Sequence, residues 1–175
     1  MSDILTAIKE RYSTRGYTAE ALTDAELNTL LHAGLQAPTA ANKQEIHITV
    51  VHGDNPILKE IEEEMLKGTG KTPPQNFYYG APVLLLLSGD KAFGWSAVDA
   101  GIAVENIALA AEGLGLGNLI IGCIKRAMNG ERQAEFASKL GIPEGYQFEV
   151  AIAVGHKATS KAPHEYSIEK NVNFV

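Results

Sequence analysis

An α+β fold is expected for this chain of 175 residues, on three observations. The stretch "PVLLLLSG" is apolar on both faces of an extended chain, as a central strand must be. The stretch "WSAVDAGIAVENIALAAEGL", residues 95 to 114, carries the longest helix pattern and is apolar nearly all round, which predicts a buried helix. Strand and helix patterns follow one another with no internal repeat, low-complexity segment or linker. The length suits one domain, 1–175, with a sizeable core.

In chain order, residues 3 to 12 read as a short helix, with Ile4, Leu5, Ile8 and Tyr12 at helical spacing. "TDAELNTLLHAGLQ", 23 to 36, opens with Thr23 and Glu26 in capping-box spacing and then buries Leu27, Leu30, Leu31 and Leu35. Pro38 stops that helix, because it lacks an N–H and clashes with the preceding turn. "IHITVV", 46 to 51, reads as a β-branched strand, and a charged helix follows at 56 to 67. "GTGKTPPQN" is a loop with little to bury. After the central strand and the long helix, "NLIIG" is a third strand, "GERQAEFASKLG" a surface helix and "YQFEVAIAVG" a fourth strand. The last stretch, "HEYSIEKNVNFV", spaces Tyr166, Ile168, Val172 and Phe174 as an apolar tail that docks elsewhere, on another subunit for example.

Composition narrows the function classes. Hydrophobic residues make up 45% and charged residues 21%, which argues against disorder. A net charge of −6 gives no general attraction for nucleic acid or an anionic membrane, so any basic site is local. Cys123 is the single cysteine, so neither an internal disulfide nor a cysteine zinc cluster is expected. The opening residues lack a secretory pattern and "APVLLLL" falls far short of a bilayer span. A cytoplasmic location is the default expectation.

Several motifs fail on context. "GLGLG", 113 to 117, ends a helix and enters a strand, the reverse of what a dinucleotide loop requires. A left-handed helix cap explains its glycines. "GTGKT" lacks the first glycine and the preceding strand of a P-loop. His32, His47, His52, His156 and His164 show no metal-binding pairing, and His47 and His52 fall on opposite faces of a strand. Cys123 has no base beside it in sequence and reads as a small buried apolar residue. No GxSxG is present.

What remains is "ERYSTRGYT", residues 10 to 18. It gathers Arg11, Ser13, Thr14 and Arg15 beside the end of the first helix. Such a knot of cations and hydroxyls is either a solvated helix end, where cations suit the dipole, or a receptor for a phosphate. Thr39 and Asn42 in "APTAANKQ" are turn residues or ligand contacts. His156, Lys157, Lys161 and His164 form a basic stretch near the end. These residues alone leave both readings open.

The order of the motifs resembles the flavin-dependent nitroreductase family. "RYSTRGYT" is similar to its "RRSxRxF" opening, and "APTAANKQEIHITVV" to its "APSxxNxQPWxFxVV" segment. "AVDAGIAVENIALAAEGLGLGNLIIG" resembles "DxGxAxxNLxLAAxxxGLGxxxxG", and "VAIAVGHKA" falls where the family has "xxxxxGYP". The resemblance spans essentially the whole chain. It implies a nitroreductase-like FMN fold: a central, mostly antiparallel sheet flanked by helices, with the long buried helix at an intertwined homodimer interface and the C-terminal tail docking on the partner.

It also implies non-covalently held FMN, NADH or NADPH as donor, and nitroaromatics, quinones or similar small molecules as acceptors. By resemblance, Arg11, Tyr12, Ser13 and Arg15 contact the phosphate, ribityl chain and pyrimidine edge of FMN. Lys161 and His164 match basic residues near the phosphate. Pro38, Thr39, Ala40 and Asn42 would line the flavin from the partner subunit. The backbone at Ile121 and Gly122 would approach flavin N5, where hydride enters and leaves, so no catalytic acid or base and no metal is implied.

Two departures stand out. Glu45 and Ile46 replace the Pro and Trp of "QPW", and only "SGDKAFG" stands where the family inserts covering helices. A more open pocket is expected, with the 68–80 loop as a partial lid. Glu105 and Glu112 are dimer hydrogen-bonding partners or solvated. Two alternatives remain: a flavin-binding or storage protein of the same fold with little turnover, and a flavin-free interaction domain.

Overall fold

Leu84 to Leu87 set the centre of the molecule: every one of these side chains is buried, alternately on the two faces of a sheet. The computed structural model describes residues 3–175. Along the chain come α1 (Ile4–Glu10), α2 (Asp24–Leu35), β1 (His47–His52), α3 (Ile57–Leu66), β2 (Val83–Asp90) and α4 (Ser96–Gly113). They are followed by β3 (Leu116–Ile121), α5 (Lys125–Met128), α6 (Gln133–Leu140), β4 (Tyr146–His156) and α7 (Ile168–Asn171). The sheet order is β1-β2-β4-β3, with every neighbouring pair antiparallel. "PVLLLLSG" is thus a central strand, as its two apolar faces require.

Leu84 and Leu86 join Ile61, Phe136 and Phe148 on one face, under α3, α5 and α6. Leu85 and Leu87 join Leu30, Ala103 and Ile107 on the other, under α2 and α4. The capping box of α2 is present: Glu26 N donates to Thr23 Oγ1 at 3.2 Å, and Thr23 N donates to Glu26 Oε2 at 2.8 Å. Strand β3 starts two residues before "NLIIG", because Leu116 pairs with His156 on the long β4. The 3₁₀ turn at Ala40–Asn42, α5 and α7 have no counterpart in the sequence reading.

The all-round burial expected of α4 needs correction within one chain. It buries Ala100, Ala103, Val104, Ile107, Ala108 and Ala111 against the sheet and α2. Val98, Ile102 and Glu105 face outward, where this chain has no further layer to cover them. The tail beyond β4 is likewise exposed, including Tyr166 and Phe174.

Helix α6 lies at the surface as expected but plants Phe136 fully inside. Its outer side is an ion network: Arg132 Nη2 meets Glu60 Oε2 at 2.8 Å and Glu135 Oε1 at 2.5 Å, while Lys139 Nζ meets the same two carboxylates. The Arg132 hydrogen bond, then that of Lys139, holds the Glu135 carboxyl down from 4.5 to about 2. A depressed carboxyl contributes stability above its unfolded pKa and loses it as pH falls through the folded one. The melting temperature of Glu135→Gln is therefore expected below wild type above pH 4.5, the gap closing as pH approaches 2. Thermal melts from pH 6 to pH 2 check this, and added salt should shrink the gap because the network is exposed. Among the described residues, no helix is long and apolar enough to cross a membrane.

Candidate functional site

Helix α1 ends where Arg11 N donates to Ala7 O at 3.0 Å. From there the chain is extended and stitched across the ends of two strands. Ser13 bridges Asn118 on the edge strand β3, and Tyr17 bridges Lys157 just beyond β4. Thr14 N donates to Asn118 O at 2.8 Å, Ala158 N to Gly16 O at 3.0 Å and Thr18 N to His156 O at 3.0 Å. These bonds satisfy a backbone that has no regular element of its own, and so fix it in place. Thr14 is fully buried, tight against Gly117, where a Cβ would come within 2.7 Å of its Cγ2. With Thr14 as the anchor, Arg11, Tyr12 and Ser13 are half-buried and Arg15 is exposed.

The cations here are not spent on carboxylates. Arg11 Nη1 donates to the neutral Asn118 Oδ1 at 3.3 Å, and Arg15 Nη1 to Ser13 O at 3.3 Å. The Arg15 guanidinium also lies 5.9 Å from the Tyr79 ring centre. Among the described residues, neither arginine nor Lys161 forms a salt bridge.

An open cavity of about 570 Å³ adjoins this segment, lined by Tyr12, Glu112, Lys157, Thr159 and Lys161 among others. The Tyr12 hydroxyl donates to Thr159 O, which ties the N-terminal segment to the chain after β4. Lys157 Nζ sits 2.7 Å from Glu112 Oε1 and 5.4 Å from the Tyr12 ring centre. Glu112, with a side chain only 8% exposed, is thus an intrachain ion-pair partner. Lys157 reaches Oε1 from the end of β4, so the group is not solvated, while Oε2 is buried with no partner in this chain and stays open to a bond from a second copy. Glu105 is exposed.

The other candidate residues fall into place unevenly. Lys161 lines the same cavity as Tyr12, whereas His164 is exposed and packs edge-on against Tyr166 at 6.5 Å. Pro38, Thr39, Ala40 and Asn42 occupy the turn after α2. There Ala40 N donates to both carboxylate oxygens of buried Asp99, at 3.1 and 3.0 Å, and Gln44 N donates to Thr39 Oγ1 at 2.9 Å. Thr39 lines a different cavity, of about 250 Å³, with Leu35, Gln44 and Ala103. Within one chain Thr39 and Tyr12 therefore line different cavities.

Ile121 and Gly122 close β3. Ile121 is three residues past Asn118, roughly 10 Å along an extended strand. A Cβ built on Gly122 would meet no protein atom within 4 Å. Cys123 is exposed rather than buried, since it leaves the sheet at the strand end. Partial desolvation nevertheless pushes its thiol up from the ordinary value, away from thiolate reactivity.

Sequence reasoning missed Asn118, Tyr79 and the pairing of Lys157 with Glu112. Lys157 was visible as part of a basic stretch. Nothing in the spacing marks Asn118 or Tyr79, because Asn118 meets Arg11 across 107 residues and Tyr79 meets Arg15 from a distant loop. The arrangement offers unpaired guanidinium and ammonium groups at one end and an open glycine backbone at the other. That suits an elongated ligand with an anionic tail.

Residues 8–156 match the model of the Nitroreductase family. The chain is similar to a nitroreductase with bound FMN from Desulfitobacterium hafniense DCB-2, at 33% identity and a TM-score of 0.87, over 100% of this chain and 99% of that one. It is also similar to an FMN-dependent nitroreductase from Clostridium difficile R20291, at 31% identity and a TM-score of 0.85, over 99% of both chains. The FMN reductase (NAD(P)H) of Bacillus subtilis strain 168 is 26% identical over 196 aligned positions, covering 99% of this chain and 73% of its own.

Proposed function

The chain belongs to the nitroreductase family, and on that premise we propose that it is an FMN-dependent NAD(P)H oxidoreductase acting on nitroaromatic, quinone or similar small acceptors. The observation that supports this most directly is the cluster of uncommitted cations on a backbone fixed by Asn118 and the end of β4. The donor set fits the cofactor. A phosphate dianion calls for charge-assisted donors, and Arg11, Ser13, Arg15 and Lys161 supply them; none of the three cations is ion-paired among the described residues, although Glu10 and Glu112 also line the cavity of Lys161. The open space beside Gly122 fits a planar ring that must come close to the backbone.

When bound, FMN supplies a two-electron centre that takes hydride from a nicotinamide and delivers it to an acceptor. The chain's own residues hold and orient it. Arg11 and Lys161 are assigned to the phosphate, Tyr12 and Ser13 to the ribityl chain. Arg15 is assigned to the pyrimidine edge, where a fixed cation stabilises negative charge as it develops. The Tyr79 ring lies 5.9 Å from that guanidinium, at the limit of a cation–π contact. Pro38, Thr39, Ala40 and Asn42 are assigned to the flavin of a second copy, in keeping with Thr39 lining a different cavity from Tyr12 within one chain. Residues 91–95 alone join β2 to α4, so no inserted helix covers the site and bulky acceptors have access.

A homodimer is part of the same reading. Ile4, Leu5 and Ile8 on α1 and Val98 and Ile102 on α4 are exposed, too many apolar side chains on adjoining helices for a free surface. An apolar groove of about 370 Å³ between α1, α2 and α4 adds to them. Equilibrium sedimentation is expected to give about twice 18.8 kDa. Ile102→Glu, which sets a charge into that contact, is expected to weaken association by at least about tenfold.

The test of function is spectral and kinetic. Purified protein supplied with FMN should be yellow, bleach with NADH or NADPH, and recolour when menadione or a nitrofuran is added. A yellow protein that bleaches only over hours would point to flavin storage. A protein that never retains FMN would overturn the proposal.

A further inference from the structure

We propose that Asn118 is a positioning residue that presets Arg11 for the phosphate of the flavin, a step that rests on the flavin reading above. Asn118 lies on β3 and is completely buried. Leu116, Leu119 and Ile121 around it are apolar, and an amide among them is unfavourable unless both its polar atoms are partnered. Both are. Nδ2 donates to Ala108 O, in the middle of α4, at 3.2 Å, and Oδ1 accepts from Arg11 Nη1 at 3.3 Å.

This pairing fixes the amide's direction. The Ala108 carbonyl can only accept, so the NH₂ end must face it and the oxygen end must face the guanidinium. A flip would set donor against donor and acceptor against acceptor. The main chain of the same residue holds the other end of the segment, through Thr14 N at 2.8 Å. One asparagine thus anchors both the backbone and the leading cation of residues 11–14 to α4 and β3.

The neutral acceptor matters as much as the position. A long arginine side chain loses rotamer freedom when it grips a ligand, and ordering it beforehand reduces that loss. A carboxylate at this place would order it equally well but cancel its charge. The amide orders Arg11 and leaves the full positive charge for an incoming dianion.

The experiment measures dissociation constants of FMN and riboflavin for the full-length protein stripped of flavin, by quenching of flavin fluorescence. Riboflavin lacks the phosphate and reports on everything else. Asn118→Ser keeps a small polar side chain beside Ala108 O but cannot reach Arg11. It is expected to weaken FMN binding about five- to tenfold, leave riboflavin unchanged, and add nothing in an Arg11→Ala background. No loss of FMN affinity, an equal loss for riboflavin, or a loss fully additive to Arg11→Ala would each overturn the proposal while leaving the flavin function standing. Should Asn118→Ser lack a cooperative melt, Asn118→Thr serves instead, since it fills about the same volume and keeps a hydroxyl donor for Ala108 O without reaching Arg11. It is expected to lose FMN affinity selectively, and retained affinity would overturn the proposal. If Arg11→Ala itself leaves FMN binding unchanged, the functional reading fails, and this inference with it.

Discussion

Arg11→Ala should purify colourless and bind added FMN at least about 100-fold more weakly than wild type, the expected result of deleting one partner of a charge-assisted pair. The side chain is half-buried at the end of α1, unpaired with any carboxylate among the described residues, and aimed by Asn118. Its truncation also strands Asn118 Oδ1, a cost of about 1–3 kcal/mol to the fold. Thermal melts of the flavin-free protein therefore belong beside the flavin titration. A cooperative melt lowered only by the few degrees this cost implies, together with lost FMN affinity and retained riboflavin affinity, locates the effect at the phosphate. Arg11→Lys should fall between, since an ammonium keeps the charge but not the two-pronged grip. Unaltered yellow colour in Arg11→Ala would remove the main support for the function.

Gly117→Ala is the second large effect, and it works through packing. The new Cβ would stand 2.7 Å from Thr14 Cγ2, 2.8 Å from Thr14 Oγ1 and 3.0 Å from Lys157 Cγ. Thr14 is buried and β-branched, so it cannot swing away. Relief must come from lifting residues 13–15 off β3, and overpacking of this kind costs about 1–3 kcal/mol. The same shift moves Ser13 and Arg15, so FMN affinity should fall along with the melting temperature. Thr14→Ala removes both offending atoms, and the double variant should recover most of the stability. A Gly117→Ala protein with wild-type melting and flavin affinity would mean that the segment is not held as tightly as the contacts imply.

These two residues also show how far the chain could be read in advance. Arg11 was legible because a cation beside two hydroxyls and a second arginine is unusual in an acidic protein. Gly117 was legible only as part of "GLGLG", where a helix cap seemed reason enough for glycine. Gly115, at φ +79°, meets that reason; Gly117 is there because Thr14 occupies its Cβ space. The ion pair of Glu112 is illegible for a similar cause: its partner Lys157 is 45 residues away and meets it only because β4 runs back past the end of α4. The sheet-facing side of α4 is buried, as its apolar pattern predicts. Its outward stripe, Val98 and Ile102, finds no cover in one chain, which is what directs attention to a second copy.

By itself the sequence determined the α+β class, the boundaries of α2 and α4, the central place of "PVLLLLSG", and the residues that had to be the phosphate receptor if there was one. These follow from local causes: capping chemistry, side-chain periodicity, and cations gathered beside hydroxyls within a few residues. Only the tertiary structure decided that Arg11 is held by Asn118, that Lys161 and not His164 lines the cavity of Tyr12, and that Thr39 lines another. Those are meetings of side chains from strand ends and turns far apart in the chain. Their geometry is set by which strands become neighbours, and residue order alone does not contain that.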